Sequence, residues 1–254
     1  MPDDRSLEGR HAVVTGASRG IGAAIAEALG QRGARVTLMA RDKTALEAVA
    51  ERVLYSSVSI CNVTEPVEIV LAFAEAKKRG PIDILVNNAG IAASASFLRT
   101  DDAMLQQMFA VNVISAFRCT REALPDMLAS GWGRVVNIAS IAGLKGARYI
   151  SAYVASKHAL VGMTRALAAE VADKNITVNA ICPGYVDTEM TERTVANIVA
   201  KTGRTEPDAR AEIARGNAGG RLIAPAEVAA AVAYLCGAEA QSINGQAIAM
   251  GDLG

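Results

Sequence analysis

Along the chain, short runs of β-branched and aliphatic residues alternate with longer, alanine-rich stretches of helical spacing. The apolar runs predict strands over residues 11–15, 35–40, 57–61, 82–86, 134–139, 177–181 and 246–250. Helices are expected near residues 21–32, 43–53, 65–79, 102–129, 152–172 and 226–236. Several strands are apolar almost without interruption; residues 82–86 read Ile-Asp-Ile-Leu-Val. Such strands suit a sheet whose two faces are both covered by helices. Strand–helix alternation predicts a parallel sheet wound by right-handed crossovers. No linker, compositional break or internal repeat divides the chain. The fold class expected is therefore α/β, a single doubly wound domain over residues 1–254 with a parallel sheet of about seven strands.

Local punctuation supports these boundaries. Thr64 is placed to cap the third helix, with Pro66 in its first turn, and Gly80-Pro81 is placed to end it. Residues 188–220 break the pattern, being polar, helix-like in patches and without a strand. A long insertion between two sheet elements predicts a lid over a binding site.

Composition narrows the possibilities. Apolar residues make up 51% of the 254, enough for one large core, and the formal net charge is zero. Basic residues form only short clusters such as Lys77-Lys78-Arg79, so neither nucleic acid nor an anionic membrane is expected as a partner. Residues 1–10 are polar, without the apolar stretch of a signal peptide. No apolar run approaches the ~20 residues of a membrane span. Cys61, Cys119, Cys182 and Cys236 are scattered, there is no CxxC pair, and there are only two histidines. That pattern predicts buried free thiols, no metal site and a reducing, cytoplasmic location.

Candidate chemistry begins where the first strand runs into Thr15-Gly16-Ala17-Ser18-Arg19-Gly20-Ile21-Gly22. Glycines let the backbone turn tightly beside a pyrophosphate, and the following helix N-terminus offers unpaired N–H groups to its charge. The spacing is Gly-x3-Gly-x-Gly, which differs from the usual dinucleotide fingerprint. The second strand ends at Ala40, followed by Arg41 and then Asp42. An acid at the strand end would bind ribose hydroxyls and repel a 2′-phosphate; Asp42 lies too late for that role. Arg19 and Arg41 instead offer two guanidiniums to a phosphate, which predicts NADP(H) over NAD(H).

Tyr153 and Lys157 stand four residues apart, on one face of a predicted helix. Bringing a phenol from a pKa of ~10 to ~7 requires about 4 kcal/mol of differential stabilisation. A partly desolvated lysine together with a cationic nicotinamide ring would have to provide it. Alone, this pair is a common coincidence.

It does not stand alone. The glycine turn, Asn87-Asn88-Ala89-Gly90 after the fourth strand, Ser140 after the fifth, Tyr153-x3-Lys157 and Pro183-Gly184 after the sixth together resemble the short-chain dehydrogenase/reductase family. The resemblance runs from about Gly9 to Gly251 and implies a Rossmann-type fold. It also implies residue roles. Tyr153 would be the general acid in reduction and general base in oxidation, and Lys157 would lower its pKa while binding the nicotinamide ribose. Ser140 would hydrogen-bond the substrate oxygen, and Asn112 would hold a water linking Lys157 to solvent. Read without the family, Ser140 would cap a turn and Asn112 would bond to backbone. Cofactor contacts would come from Gly16, Ser18, Arg19, Gly20, Ile21, Gly22, Arg41, Asn62, Val63, Asn88, Ala89 and Gly90. On the nicotinamide side they would come from Tyr153, Lys157, Pro183, Gly184, Val186 and Thr188. Asn62-Val63 departs from the family's usual aspartate-valine, so its adenine contact is expected to be weaker. His158 follows Lys157 but is turned about 100° away along the helix, so it is read as a packing or surface residue.

Within the family, the segment around residues 152–190 most resembles reductases of 3-oxoacyl thioesters on acyl-carrier protein or coenzyme A, including polyketide ketoreductases. Specificity is expected in residues 94–97, 144–150, Tyr185 and the lid, with Lys145, Arg148 and Arg193 available to an anionic carrier. The alternative is a stereoselective reductase of small ketones or secondary alcohols. A third reading, a catalytically silent cofactor sensor, has no use for Ser140, Tyr153 and Lys157 together. The resemblance further implies a homotetramer, or failing that a dimer.

Overall fold

The computed structural model describes residues 5–251; residues 1–4 and 252–254 of the expected domain lie outside the described residues. Seven strands form one sheet in the order β3-β2-β1-β4-β5-β6-β7. They are β1 (His11–Thr15), β2 (Arg35–Ala40), β3 (Ser56–Ile60), β4 (Ile84–Asn87), β5 (Gly133–Ile138), β6 (Ile176–Pro183) and β7 (Ala247–Met250). Every pairing is parallel, with β1 held between β2 (His11↔Arg35) and β4 (Ala12↔Ile84). The chain leaves β1 and β4 toward opposite sides. That order reversal opens a crevice at the carboxyl ends of the two strands, where ligands bind in open α/β sheets.

Nine α-helices among the described residues accompany the sheet: α1 (Gly20–Gln31), α2 (Lys43–Ala50), α3 (Pro66–Lys77), α4 (Asp102–Phe109), α5 (Ser115–Ser130), α6 (Ser151–Glu170), α7 (Glu189–Thr202), α8 (Glu206–Arg215) and α9 (Pro225–Cys236). Strand residues alternate between two cores. Ala12 and Val14 of β1 pack with Ile25 and Leu29 of α1, Leu46 of α2 and Val232 of α9. Val13 joins Phe73 of α3, Met127 of α5 and Ala168 of α6 on the other face. Two apolar faces account for the uninterrupted apolar strands.

Three expectations are revised. The helix predicted over 102–129 is two helices joined by a π-helical turn at Ala110–Ile114. Glu65 takes the cap position of α3, while the Thr64 hydroxyl donates to Asn62 Oδ1 at 2.9 Å. The polar lid is a helical hairpin, α7 and α8, around a small core of Val195, Ala209 and Ile213. All four cysteines are free and buried, and burial pushes the Cys61 and Cys182 thiols up to about 11.

Candidate active site

The glycine turn fits a pyrophosphate. No side chain caps α1 and no acidic residue lies in its first turn, so no group of the helix itself competes with a phosphate for its N-terminal N–H groups. Gly16 sits at φ +65°, in the left-handed region. A Cβ at Gly22 would fall 2.3 Å from the Gly16 carbonyl oxygen and 2.5 Å from Asn88 Nδ2, so only glycine closes the turn. Asn88 fastens the turn to the end of β4, donating to the Thr15 and Gly16 carbonyls at 3.0 and 3.1 Å. The Thr15 hydroxyl accepts from the backbone N–H groups of Asn88 and Ala89 at 3.0 and 3.1 Å. A dinucleotide cofactor therefore finds a rigid cradle at the β1–β4 crevice. Gly16, Ser18, Gly20, Ile21 and Gly22 would hold its phosphates, and Asn88, Ala89 and Gly90 would border it from β4.

On the adenosine side, Arg41 is exposed just beyond β2. The Asp42 side chain points into its own helix, accepting from Ala45 N at 3.0 Å as the cap of α2. Arg19 is held by Glu189, the first residue of α7, at 2.8 Å. Asn62 Oδ1 accepts from both the N–H and the hydroxyl of Thr64, and Val63 beside it is buried. Both lone pairs of that oxygen are thus engaged within the turn, and an adenine amino group would have to displace one of the two donors.

Ser140, Tyr153 and Lys157 meet at the carboxyl ends of β5 and β6. Ser140 lies two residues beyond β5; its hydroxyl accepts from Ala142 N at 3.1 Å and lies 3.5 Å from the Pro183 carbonyl. Tyr153 and Lys157 project from the first turns of α6, with the Lys157 Nζ 5.7 Å from the tyrosine ring centre. That ammonium donates to the Ile138 carbonyl at 2.9 Å, and burial pushes its pKa down to about 8. Burial pushes the half-buried Tyr153 phenol up, and the facing Ser140 hydroxyl acts in the opposite direction. In the free chain, then, the phenol is not lowered; desolvation outweighs the hydrogen bond, and the lysine is itself weakened as a cation.

Asn112 lies in the π turn, a kind of helical irregularity often found at functional sites, and is 1% exposed. Its Oδ1 accepts from Ile91 N at 2.9 Å, while Nδ2 donates to Ile91 O and to the Ser156 hydroxyl, both at 3.0 Å. Both amide hydrogens and one oxygen lone pair are thus committed. The side chain ties α6 and the π turn to the loop after β4, and a Cβ at Gly90 would touch Asn112 Oδ1 at 3.3 Å and Lys157 Nζ at 3.5 Å. His158 is exposed, with Nδ1 3.0 Å from the Val154 carbonyl one turn back.

Pro183 closes β6, and Gly184, Val186 and Thr188 lead from it into the lid. Asn217 fixes this hinge: it accepts from Tyr185 N at 2.9 Å and donates to the Tyr185 and Arg221 carbonyls at 2.7 and 2.8 Å. Tyr149, Tyr185 and Met190 remain partly or largely exposed, at 66%, 39% and 43%, on the segments expected to set specificity. Lys145 and Arg148 are exposed on that side as well, and Arg193 stands 3.5 Å from Glu189. Thr15, Ser156, Glu189 and Asn217 escape a reading of the sequence. Only Thr15 carries a local signal, a polar residue closing an apolar strand at the glycine turn.

The short chain dehydrogenase family model matches residues 10–198. The chain is 37% identical over 249 residues to D-beta-hydroxybutyrate dehydrogenase of Rhizobium meliloti (strain 1021), covering 94% of this chain and 96% of the relative. It is 36% identical over 245 residues to 3-oxoacyl-[acyl-carrier-protein] reductase of Escherichia coli (strain K12), covering 96% of each. A structure of a variant actinorhodin polyketide ketoreductase with NADPH superimposes with a TM-score of 0.91 at 37% identity, covering 95% of this chain and 96% of that one. The chain belongs to the short-chain dehydrogenase/reductase family. It is an oxidoreductase of the CH–OH/C=O class.

Proposed function

We propose that this enzyme uses NADP(H) to reduce a 3-oxoacyl thioester to its 3-hydroxyacyl form, with Ser140, Tyr153, Lys157 and Asn112 as its working residues. The observation that carries the reaction is the meeting of the Ser140 hydroxyl, the Tyr153 phenol and the buried Lys157 ammonium beside an uncapped helix N-terminus. The bound cofactor supplies the hydride. Negative charge then grows on the substrate oxygen, where Ser140 donates a hydrogen bond and Tyr153 a proton. Lys157 holds positive charge near the phenol as it becomes phenolate, and Asn112 positions the loop and helix around that lysine. NADP(H) is favoured by Arg19 and Arg41 at the adenosine end, by the engagement of Asp42 in its own helix cap, and by the NADPH of the ketoreductase relative. The thioester is favoured by the 3-oxoacyl reductase and ketoreductase relatives; the hydroxybutyrate dehydrogenase relative keeps a small hydroxy acid as the second reading.

A cytoplasmic location accords with free, buried cysteines, and no helix among the described residues is long and apolar enough to cross a membrane. The homotetramer reading draws on exposed Leu105, Ile114, Phe117 and Leu128 along α4, the π turn and α5. Solution mass measures it. The test of the reaction is turnover of acetoacetyl-CoA and of a simple aryl ketone with NADPH and NADH, in the wild type and in Tyr153→Phe. We expect thioester reduction with NADPH, and a fall of at least about a hundredfold in the variant with cofactor binding retained. Turnover of the ketone alone, or a preference for NADH, overturns the corresponding part.

A further inference from the structure

We propose that Glu189 is a cofactor-selectivity residue: its carboxylate holds Arg19 in the free chain and surrenders it to the 2′-phosphate of NADP(H), linking phosphate recognition to release of the lid. The inference rests on the NADP(H) reading above and adds a competitor within the chain. Arg19 and Glu189 are 170 residues apart in sequence, and their 2.8 Å contact is, among the described residues, the one ion pair joining the glycine turn to the lid. The next residues along also touch, since a Cβ at Gly20 would lie 3.3 Å from Thr188 Cγ2. The lid helix therefore begins against the turn that would hold the cofactor phosphates.

The chemistry favours exchange. Both side chains of the pair are 57% exposed, so their attraction is screened and easily replaced. A phosphate dianion offers the guanidinium more charge and more acceptor oxygens than one carboxylate does. Glu189 is not stranded when Arg19 leaves: Arg193 Nη2 stands 3.5 Å away, and the first turn of α7 favours a negative charge. NAD(H), without a 2′-phosphate, has no group to make the exchange and leaves the lid fastened.

Calorimetric titration of NADP+, NAD+ and adenosine 2′,5′-bisphosphate into wild type, Glu189→Gln and Arg19→Met tests this, with hydrogen exchange of the α7 amides as a second readout. Glu189→Gln should tighten NADP+ and the bisphosphate about two- to fivefold, the scale of an exposed ion pair, and leave NAD+ unchanged. Amide exchange in α7 should rise in free Glu189→Gln, and in wild type it should be faster with NADP+ bound than with NAD+ bound. An unchanged or weakened NADP+ affinity, an equal shift for NAD+, or α7 exchange indifferent to all of these overturns the proposal. If wild type binds NADP+ no more tightly than NAD+, the NADP(H) reading has failed and this one falls with it. If Arg19→Met abolishes a real preference while Glu189→Gln does nothing, only the role of Glu189 is lost.

Discussion

Replacing Lys157 by methionine should make the protein more stable at neutral pH while disabling it. The lysine is 4% exposed, and burial takes its pKa from an ordinary 10.5 to about 8. At about 1.4 kcal/mol per pKa unit, keeping it charged in the fold costs about 3 kcal/mol at neutral pH. Methionine removes that cost but leaves the Ile138 carbonyl without its donor, a loss of about 1 kcal/mol, for a net gain of about 2 kcal/mol. The pH dependence identifies the cause. Below about 8 the lysine is charged both folded and unfolded, and the full penalty applies. Between about 8 and 10.5 the unfolded chain binds the proton more tightly than the folded one, so wild-type stability rises with pH. Urea unfolding of the two proteins should show a gap of about 2 kcal/mol at neutral pH that shrinks to a few tenths by about pH 9.5. Tyr153 and Cys182 feel the lysine's charge, but burial pushes both above their ordinary values, so in the fold they stay protonated up to about pH 9.5 and enter the difference little. A gap that stays constant across this range refutes the argument, because a packing or hydrogen-bond effect carries no such pH dependence.

Asn217→Ala orphans the Tyr185 N–H and the Arg221 carbonyl and leaves the Tyr185 carbonyl with Ile223 N as its donor, and should destabilise the fold by about 2 kcal/mol in urea melts. Asn217→Asp, which keeps the acceptor for Tyr185 N but sets a carboxylate against both carbonyls, should be no better; full stability in either variant removes Asn217 from the hinge. Asp42→Ala should lose about 1 kcal/mol as a helix cap and leave the ratio of NADP+ to NAD+ affinities unchanged. A shifted ratio in that variant returns Asp42 to the ribose.

The sheet was legible because its central strands are apolar on both faces, edge strand β3 being the exception, and the glycine turn because its chemistry is local. Boundaries moved by one to three residues where turns compete with helices, as at Glu65 and after Ala50. The π turn was hidden, because helical spacing simply continues across one extra residue; its reason, the bonding of Asn112 to Ile91, spans 21 residues. Glu189 and Asn217 lie in a polar segment where no periodicity distinguishes them, and their partners are 170 and 32 residues away. The quartet of Ser140, Tyr153, Lys157 and Asn112 could be picked out by type and order. The phenol's upward pKa was not legible, because it depends on how much water the fold removes from around the ring.

The Asn217 hinge also bears on how such an enzyme changes its trade. The chain leaves the scaffold after β6 and returns to it before α9 through one parallel bridge, Val186↔Ile223, and one asparagine grips both arms beside it. The sheet, the glycine turn and the Ser140, Tyr153 and Lys157 cluster all lie outside that closed excursion. Its helices can be lengthened, shortened or exchanged for another pair without re-registering a single strand. A library randomised between Thr188 and Asn217, with both hinge arms kept, would explore new substrates while leaving Ser140, Tyr153 and Lys157 untouched.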